Sequence, residues 1–167
     1  MKPDNYPSTP AHLWRHFYQI TQIPRPSRQE AAVRQYVIDQ AEQGGHAWRM
    51  DAEGNLVVSV AASAGMAERE PVIIQNHLDM VKKKTADKEH DFTQDPLSLL
   101  VEDGWLRADR TTLGADNGVG CATALAPCSA ASAWRAGNRA ASRDRSRSCT
   151  GCSVRHCNAS SASSHRS

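Results

Sequence analysis

Cysteine, aromatic residues and long apolar runs are all scarce in this chain of 167 residues. Only Cys121 lies among the first 126 residues, which excludes a disulfide scaffold and favours a reducing compartment. No stretch approaches the ~20 consecutive apolar residues of a membrane helix, and the polar opening lacks the apolar segment of a signal peptide. We therefore expect a cytoplasmic protein with no membrane partner.

Acidic residues are almost missing from the last part of the chain. Residues 127–167 contain seven Arg, no Lys and one acid, Asp144, whereas residues 1–126 contain 13 basic and 17 acidic residues. Val154 is the only Leu, Ile, Val or Phe of the last segment. That content is far below the roughly 20% under which a chain is expected to be disordered. The sequence therefore predicts a domain at 1–126 and a disordered Arg/Ser/Ala/Cys-rich tail at 127–167.

The tail begins abruptly inside an apolar helical pattern, which favours an out-of-frame reading of the gene after a frameshift. Cys149, Cys152, His156 and Cys157 are enough ligands for zinc, but their pairs lie closer together than the ~12–20 residues typical of structural sites. The arginines of 143–147 would attract nucleic acid, yet no aromatic residues are interleaved with them for base stacking. We expect no specific nucleic-acid partner.

The first helical pattern lies near the start of the chain. Thr9 suits the N-cap of a helix and Pro10 its first position, so a helix is predicted from there to about Thr21. His12 and His16 lie four residues apart on this helix without a neighbouring carboxylate or cysteine. We expect them on a solvated face.

A second helix and several strands follow. Ser27-x-x-Glu30 has the form of a capping box, and Gly44-Gly45 marks the end of the helix that it would begin. Strands are predicted at 47–50, 56–61, 71–75, 97–100 and 105–108. The third of these strands is a continuous apolar run, as in a strand that is buried on both faces. Helices and strands in this order predict an α/β architecture.

His77 and Asp79 follow the apolar strand directly. A spacing of two residues sends both side chains to the same face of an extended backbone. A neutral imidazole is a common zinc ligand, and its second ring nitrogen often donates to a carboxylate that fixes the tautomer. The pair predicts either part of a metal site or an ordinary polar strand end.

Asp116 lies in a glycine-rich segment that leads into a helix. The segment lacks the Gly-Lys-Ser/Thr and Gly-x-Gly-x-x-Gly patterns of nucleotide-binding loops. A carboxylate here could bridge two metal ions, as in two-metal hydrolases. An ordinary helix N-cap remains the alternative, since Asp and Asn both suit that position.

Four motifs together resemble the aminoacyl-histidine dipeptidases, also called Xaa-His or cytosol non-specific dipeptidases, of the di-zinc exopeptidase superfamily. The motifs are His77-Leu-Asp79-Met-Val81, Thr112-Leu-Gly-Ala-Asp116-Asn-Gly118, Ile23-Pro-x-Pro-Ser27 and Asp51-Ala-Glu-Gly-Asn55. The resemblance covers about residues 10–126. It implies the N-terminal part of a zinc-exopeptidase catalytic domain that is truncated in this chain and is followed by the tail.

The resemblance also implies roles for three residues and a reaction. His77 would bind one of two zinc ions, Asp116 would bridge both, and Asp79 would orient His77 as part of the catalytic group. The implied reaction is hydrolysis of dipeptides, particularly Xaa-His, by a zinc-activated water with a glutamate as general base. The implied partner is a dipeptide substrate, and some members of the family form homodimers through a lid domain that has no match here.

The family's general base and its remaining zinc ligands also have no matching positions, because Asp144 is the only acidic residue after Asp116. A catalytic zinc usually has three protein ligands, and a general base typically contributes ~10²–10⁴-fold to the rate. We therefore expect partial zinc binding at most and no appreciable dipeptidase activity. The alternative function is that of a non-catalytic pseudoenzyme or a basic-tailed binding protein.

Overall fold

The computed structural model describes the backbone of residues 2–138 and 152–156 and the side chains of residues 2–128. Within these ranges, the helices are α1 (Ala11–Thr21), α2 (Ala31–Gln43) and α3 (Ala115–Asn138). The strands are β1 (Ala47–Met50), β2 (Leu56–Val60), β3 (Val72–Asn76), β4 (Leu99–Glu102), β5 (Trp105–Ala108) and β6 (Cys152–His156). None of the described helices is long and apolar enough to cross a membrane.

Two sheets are formed by these strands. The larger has the order β1-β2-β6-β3, in which β2 pairs antiparallel with β1 and β6, and β3 pairs parallel with β6. The smaller is the antiparallel pair β4–β5, with Leu99 opposite Ala108. Helices packed with a mixed sheet confirm the predicted α/β class.

The core lies where α1 packs on α3 and where α2 and α3 meet the larger sheet. Its buried residues are mostly aliphatic, as expected where helix stripes cover a sheet face. They include Phe17, Ile20, Val33, Val37, Ala41, Leu56, Val58, Leu78, Met80, Cys121 and Leu125. This packing places the amino end of α3 beside the segment that follows β3.

The first helix begins one residue later than predicted. Pro10, with an extended backbone, occupies the N-cap position, and no side chain caps the helix there, so the prediction that Thr9 caps it is wrong. The expectation that His16 faces solvent is also wrong. His16 is fully buried, and its Nδ1 lies 2.7 Å from the hydroxyl of Tyr36 on α2. Sequence spacing shows which residues share a helix face, but not which faces the other helices cover.

The predicted capping box of α2 does not form. Glu30 itself occupies the N-cap position without a side-chain cap, and its carboxylate accepts a hydrogen bond from the backbone N–H of Arg28. The hydroxyl of Ser27 instead donates to Asp79, 52 residues along the chain. The helix ends at Gly44 and Gly45, as predicted.

The prediction that residues 71–75 are buried on both faces is wrong. Val72 and Ile73 are 64% and 59% exposed, and burial within β3 is reached only at Asn76. Among the described strands, β3 lies at one edge of its sheet. The apolar run therefore reflects strand propensity more than burial.

The predicted tail lies mostly outside the described residues. The structure describes the end of α3 to Asn138 and the backbone of β6 within it, and residues 139–151 and 157–167 fall outside. The boundary after residue 126 and the disorder of 127–167 therefore stay predictions. The same holds for the cysteine cluster and the arginine run of this segment.

Candidate metal centre

The side chains of His77 and Asp79 meet immediately after β3 ends. Nδ1 of His77 lies 3.0 Å from Oδ1 of Asp79 and 3.2 Å from its backbone oxygen. Two acceptors on one side of the ring favour the tautomer that carries its proton on Nδ1. The predicted contact between these residues is therefore present in the structure.

Asp116 lies on the other side of the same imidazole ring. Its Oδ1 is 3.0 Å from Nε2 of His77, although 39 residues separate the two in the chain. The backbone of Asp116 is extended, with φ −90° and ψ 107°, so its side chain leaves the start of α3 before the regular helix begins. The structure thus brings His77, Asp79 and Asp116, all three residues selected from the sequence, into one hydrogen-bonded row.

Two close contacts hold the start of α3 against the end of β3. A Cβ built at Gly120 would meet the side-chain oxygens of Asn117 and Asn76, so a larger residue here would force one of these side chains to shift. The buried thiol of Cys121 donates to the backbone oxygen of His77 over 3.2 Å. Because burial raises the pKa of Cys121 to about 11, this residue remains a thiol. It supports His77 and does not supply a thiolate ligand.

The ring of His77 is placed between two carboxylates, and this arrangement needs a cation. Although partial burial disfavours the charged ring, the hydrogen bonds to Asp116 and Asp79 outweigh it and raise the pKa of His77. When Nδ1 carries the proton of the neutral ring, the lone pair of Nε2 points at a carboxylate oxygen. That contact is attractive only with a proton or a metal ion between the two atoms.

Asp79 is oriented by Ser27, a residue that the sequence assigned to helix capping. The hydroxyl of Ser27 donates to Oδ2 of Asp79 over 2.5 Å, while Oδ1 accepts from His77. Burial disfavours ionisation of Asp79, but these hydrogen bonds outweigh it and lower its pKa. Asp79 therefore stays ionised and holds the proton of His77 on Nδ1.

Arg25 was not selected from the sequence, yet it connects the two segments that form the row. Its guanidinium is buried and donates from Nη1 to the backbone oxygens of Leu78 and Asp79, at 2.7 and 3.0 Å. From Nη2 it donates to the backbone oxygen of Gly114 over 2.6 Å. An arginine in an irregular loop has no local sequence pattern that predicts its contacts. Only the Pro-x-Pro-Ser motif around Arg25 indicates that this segment belongs to the site.

The charged loop between the two segments is fastened to the glycine-rich segment. The backbone N–H of Thr112 donates to the oxygen of Lys83, and the hydroxyl of Thr112 donates to the oxygen of Val81. An ion pair of 2.7 Å joins Lys88 to Asp109 nearby. The segment 82–95 is therefore irregular but anchored, and it fixes where the chain returns towards Asp116.

The row provides two atoms that can bind one metal ion. Nε2 of His77 and Oδ1 of Asp116 are 3.0 Å apart, and tetrahedral zinc with bonds of about 2.1 Å would hold two ligand atoms about 3.4 Å apart. Nε2 of His77 and Oδ1 of Asp116 would therefore need to move only slightly apart to hold one zinc ion. Asp79 faces the opposite ring nitrogen and is not a third ligand. Accordingly, no group of three or more His, Cys, Asp or Glu in the described part of the chain is arranged to hold a metal.

Comparison with known proteins gives relatives of one functional class. The chain is 44% identical over 118 residues to the cytosol non-specific dipeptidase of Escherichia coli strain K12, a match over 71% of this chain and 24% of that protein. It therefore spans about a quarter of the length of this relative. No protein-family model matches the chain.

Solved structures give the same result for the fold. The aminoacylhistidine dipeptidase of Vibrio alginolyticus superimposes with a TM-score of 0.75 at 36% identity, over 93% of this chain and 29% of that chain. A tripeptidase of Staphylococcus aureus superimposes with a TM-score of 0.63 at 17% identity, over 87% of this chain and 35% of that chain, which shows the fold alone. The resemblance to the aminoacyl-histidine dipeptidases is therefore confirmed in sequence and in fold, over less than a third of the length of these relatives.

Proposed function

We propose that this chain provides the His77–Asp116 half of a zinc centre that hydrolyses dipeptides of the Xaa-His type. The observation that supports it most directly is the 3.0 Å approach of Nε2 of His77 to a carboxylate oxygen of Asp116. The relatives named as dipeptidases support the same reaction class. Zinc supplies Lewis-acid polarisation of a carbonyl group and lowers the pKa of a bound water from 15.7 to about 7 in favourable cases.

The residues of this chain have separate tasks in the proposal. His77 contributes a neutral nitrogen ligand, which Asp79 keeps in the required tautomer by accepting the proton of Nδ1. The side chain of Asp116 is 93% exposed, so its second oxygen is free to face a second zinc ion. His77 is 38% exposed, which leaves the pair open to a dipeptide from solvent.

The ligand count limits how much of this chemistry the described residues can perform. Catalytic zinc is usually held by three protein ligands, whereas His77 and Asp116 are two. We therefore propose that zinc binds weakly, at about one ion per chain, and that turnover lies far below that of a complete dipeptidase. The basic-tailed binding alternative depends on residues outside the described ranges and stays a prediction. We place the protein in the cytoplasm, as the name of the Escherichia coli relative suggests.

Zinc titration of the chain in competition with a chromogenic chelator tests the proposal. We expect His77→Gln and Asp116→Asn each to weaken binding at least tenfold, because each removes one of two ligands. His12→Gln is the matched control, since it removes an exposed imidazole from α1. Equal affinity in all three variants would place the metal elsewhere.

Turnover is measured on the same samples with a Xaa-His dipeptide and added zinc. We expect a rate at least ~10²-fold below that of a complete dipeptidase, because a general base typically contributes that much. A rate equal to that of a complete enzyme would contradict the limit set by two ligands.

A further inference from the structure

The turn that precedes α2 contacts the metal centre at several points, although none of its residues is a ligand. Pro26 forms an isolated bridge with Met80, and the backbone N–H of Met80 donates to the oxygen of Arg25 over 3.0 Å. Arg25 and Ser27 flank this bridge and both direct side-chain donors at Asp79. The turn therefore runs alongside the segment that carries His77 and Asp79.

Both oxygen atoms that accept from Nδ1 of His77 belong to Asp79, and each is fixed by this turn. Nη1 of Arg25 donates to the backbone oxygen of Asp79, which lies 3.2 Å from Nδ1 of His77. Ser27 donates to Oδ2 of the carboxylate, which leaves Oδ1 directed at the same nitrogen. Rotation of either acceptor away from the ring would break a hydrogen bond of the turn.

Arg25 also holds the opposite side of the centre in place. Its Nη2 donates to the backbone oxygen of Gly114, two residues before Asp116. Arg25 is 1% exposed, and a buried charge is costly unless hydrogen bonds compensate it. Here both terminal nitrogens, Nη1 and Nη2, donate to backbone oxygens, whereas Nε has no partner among the described residues. Three backbone oxygens, two from the His77 segment and one from the Asp116 segment, share this single cation. The separation of the two segments is therefore set by one rigid planar group.

We propose that Arg25 and Ser27 are positioning residues for zinc binding by His77 and Asp116. Ser27 keeps the proton of His77 on Nδ1, so that the lone pair of Nε2 faces the metal. Arg25 fixes the distance between the strand end that carries His77 and the loop that carries Asp116. The inference rests on the proposed zinc function, but its effect on the ring of His77 exists without metal.

The first test measures zinc affinity in the full chain by chelator competition. We expect Ser27→Ala to weaken binding ~10–100-fold, the usual effect of removing a group that orients a ligand. Ser27→Thr retains the hydroxyl and should bind within about threefold of the unmodified chain. Ser63→Ala, which removes an exposed hydroxyl far along the chain, is the matched control. Unchanged affinity in Ser27→Ala would overturn the role of Ser27.

The second test reads the tautomer of His77 without metal, so that it stays informative if the chain binds no zinc. Long-range ¹H–¹⁵N spectra in EDTA at pH 9 distinguish a proton on Nδ1 from one on Nε2. We expect the Nδ1 form in the unmodified chain and in Ser27→Thr, and a shift towards the Nε2 form in Ser27→Ala, because Asp116 then competes for the proton. The same tautomer in all three proteins would overturn the proposal for Ser27, whereas a tautomer shift in a chain without zinc affinity would refute only the zinc function.

Arg25 is tested by Arg25→Lys, which keeps the charge but cannot reach both segments with one ammonium group. We expect zinc affinity to fall at least tenfold, while the Nδ1 tautomer of His77 is retained through Ser27. Thermal unfolding in EDTA shows whether the variant is folded. Should Arg25→Lys not fold, Gly114→Ala places a Cβ against Nη2 of Arg25 and Sδ of Met80 and is expected to give the same loss. Wild-type affinity in a folded variant would overturn the role of Arg25.

Discussion

Replacing Gly114 with alanine tests whether Arg25 links the two segments of the centre. Gly114 has φ +66°, and a Cβ there would lie 2.5 Å from Nη2 of Arg25 and 2.9 Å from Sδ of Met80. The new methyl group therefore meets the guanidinium at the atom that donates to the oxygen of Gly114. Arg25 is buried and cannot move aside without losing that hydrogen bond.

The matched control is Gly45→Ala. Gly45 has φ +68°, nearly the same backbone conformation, and a Cβ there meets no atom within 4 Å. The left-handed backbone costs a non-glycine residue about 1–2 kcal/mol, and both variants share this cost. Both also share the entropic gain of replacing glycine in the unfolded chain. The difference between them therefore reports the contacts that the new methyl group makes with Arg25 and Met80.

That difference follows from the hydrogen bond that is lost. A hydrogen bond to a charged group contributes about 1.5–3 kcal/mol. We expect the free energy of unfolding, measured with urea in EDTA, to fall by about 1 kcal/mol in Gly45→Ala and by about 3–4 kcal/mol in Gly114→Ala. Zinc affinity should fall only in Gly114→Ala. Equal losses of stability in the two variants would refute the reasoning, since Arg25 would then not be held against Gly114.

Two predictions concern pH. Burial, with smaller contributions from Arg15 and His12, lowers the pKa of His16 to about 4 from its usual 6.5, so stability should be lost as pH falls from 6.5 towards 4. The loss in the free energy of unfolding approaches roughly 3 kcal/mol, at about 1.4 kcal/mol per pKa unit. Urea unfolding at pH 7 and pH 4.5 measures it, and His16→Gln should remove it. At His77 the pKa is raised, so the charged ring stabilises the metal-free fold at low pH, and this contribution is lost as pH rises through the raised pKa. Zinc affinity should change in the opposite direction and fall below that pKa, because a proton then occupies Nε2. Zinc titrations from pH 8 to pH 5.5 measure this change. An affinity that does not change over this range would show that His77 is not a ligand.

The three candidate residues could be identified from the sequence because each carries its own local signal. His77 and Asp79 follow an apolar strand at a spacing that places them on one face, and Asp116 lies between glycines at the start of a helix. The contact between Nε2 of His77 and Asp116 was not visible in either pattern. It came from the resemblance to a family, because spacing alone does not show that a strand end and a helix start are adjacent.

The supporting residues could not be identified in the same way. Ser27-x-x-Glu30 matches a capping box, and that motif is defined only by residues within one helical turn. The hydroxyl of Ser27 is instead used 52 residues away, at Asp79. Val72 and Ile73 show a related limit, since an apolar strand at the edge of a sheet has the same sequence as one in its centre. Local patterns predict element type well, but partners distant in the chain decide burial and hydrogen bonding.

Fewer residues are needed to orient His77 and Asp116 than to form a complete zinc site. In the described part of the chain, the hydrogen bonds that orient the ring of His77, from Ser27 through Asp79 on one side and from Asp116 on the other, lie among residues 25–118. A full zinc site needs a third ligand, whereas the tautomer of His77 and the separation of its segment from Asp116 do not. The geometry of this half should therefore persist in metal-free protein. Introducing further ligands would then raise zinc affinity without changing the tautomer of His77. If the tautomer changed when zinc binds, the metal, and not the turn at Arg25 and Ser27, would order the ring.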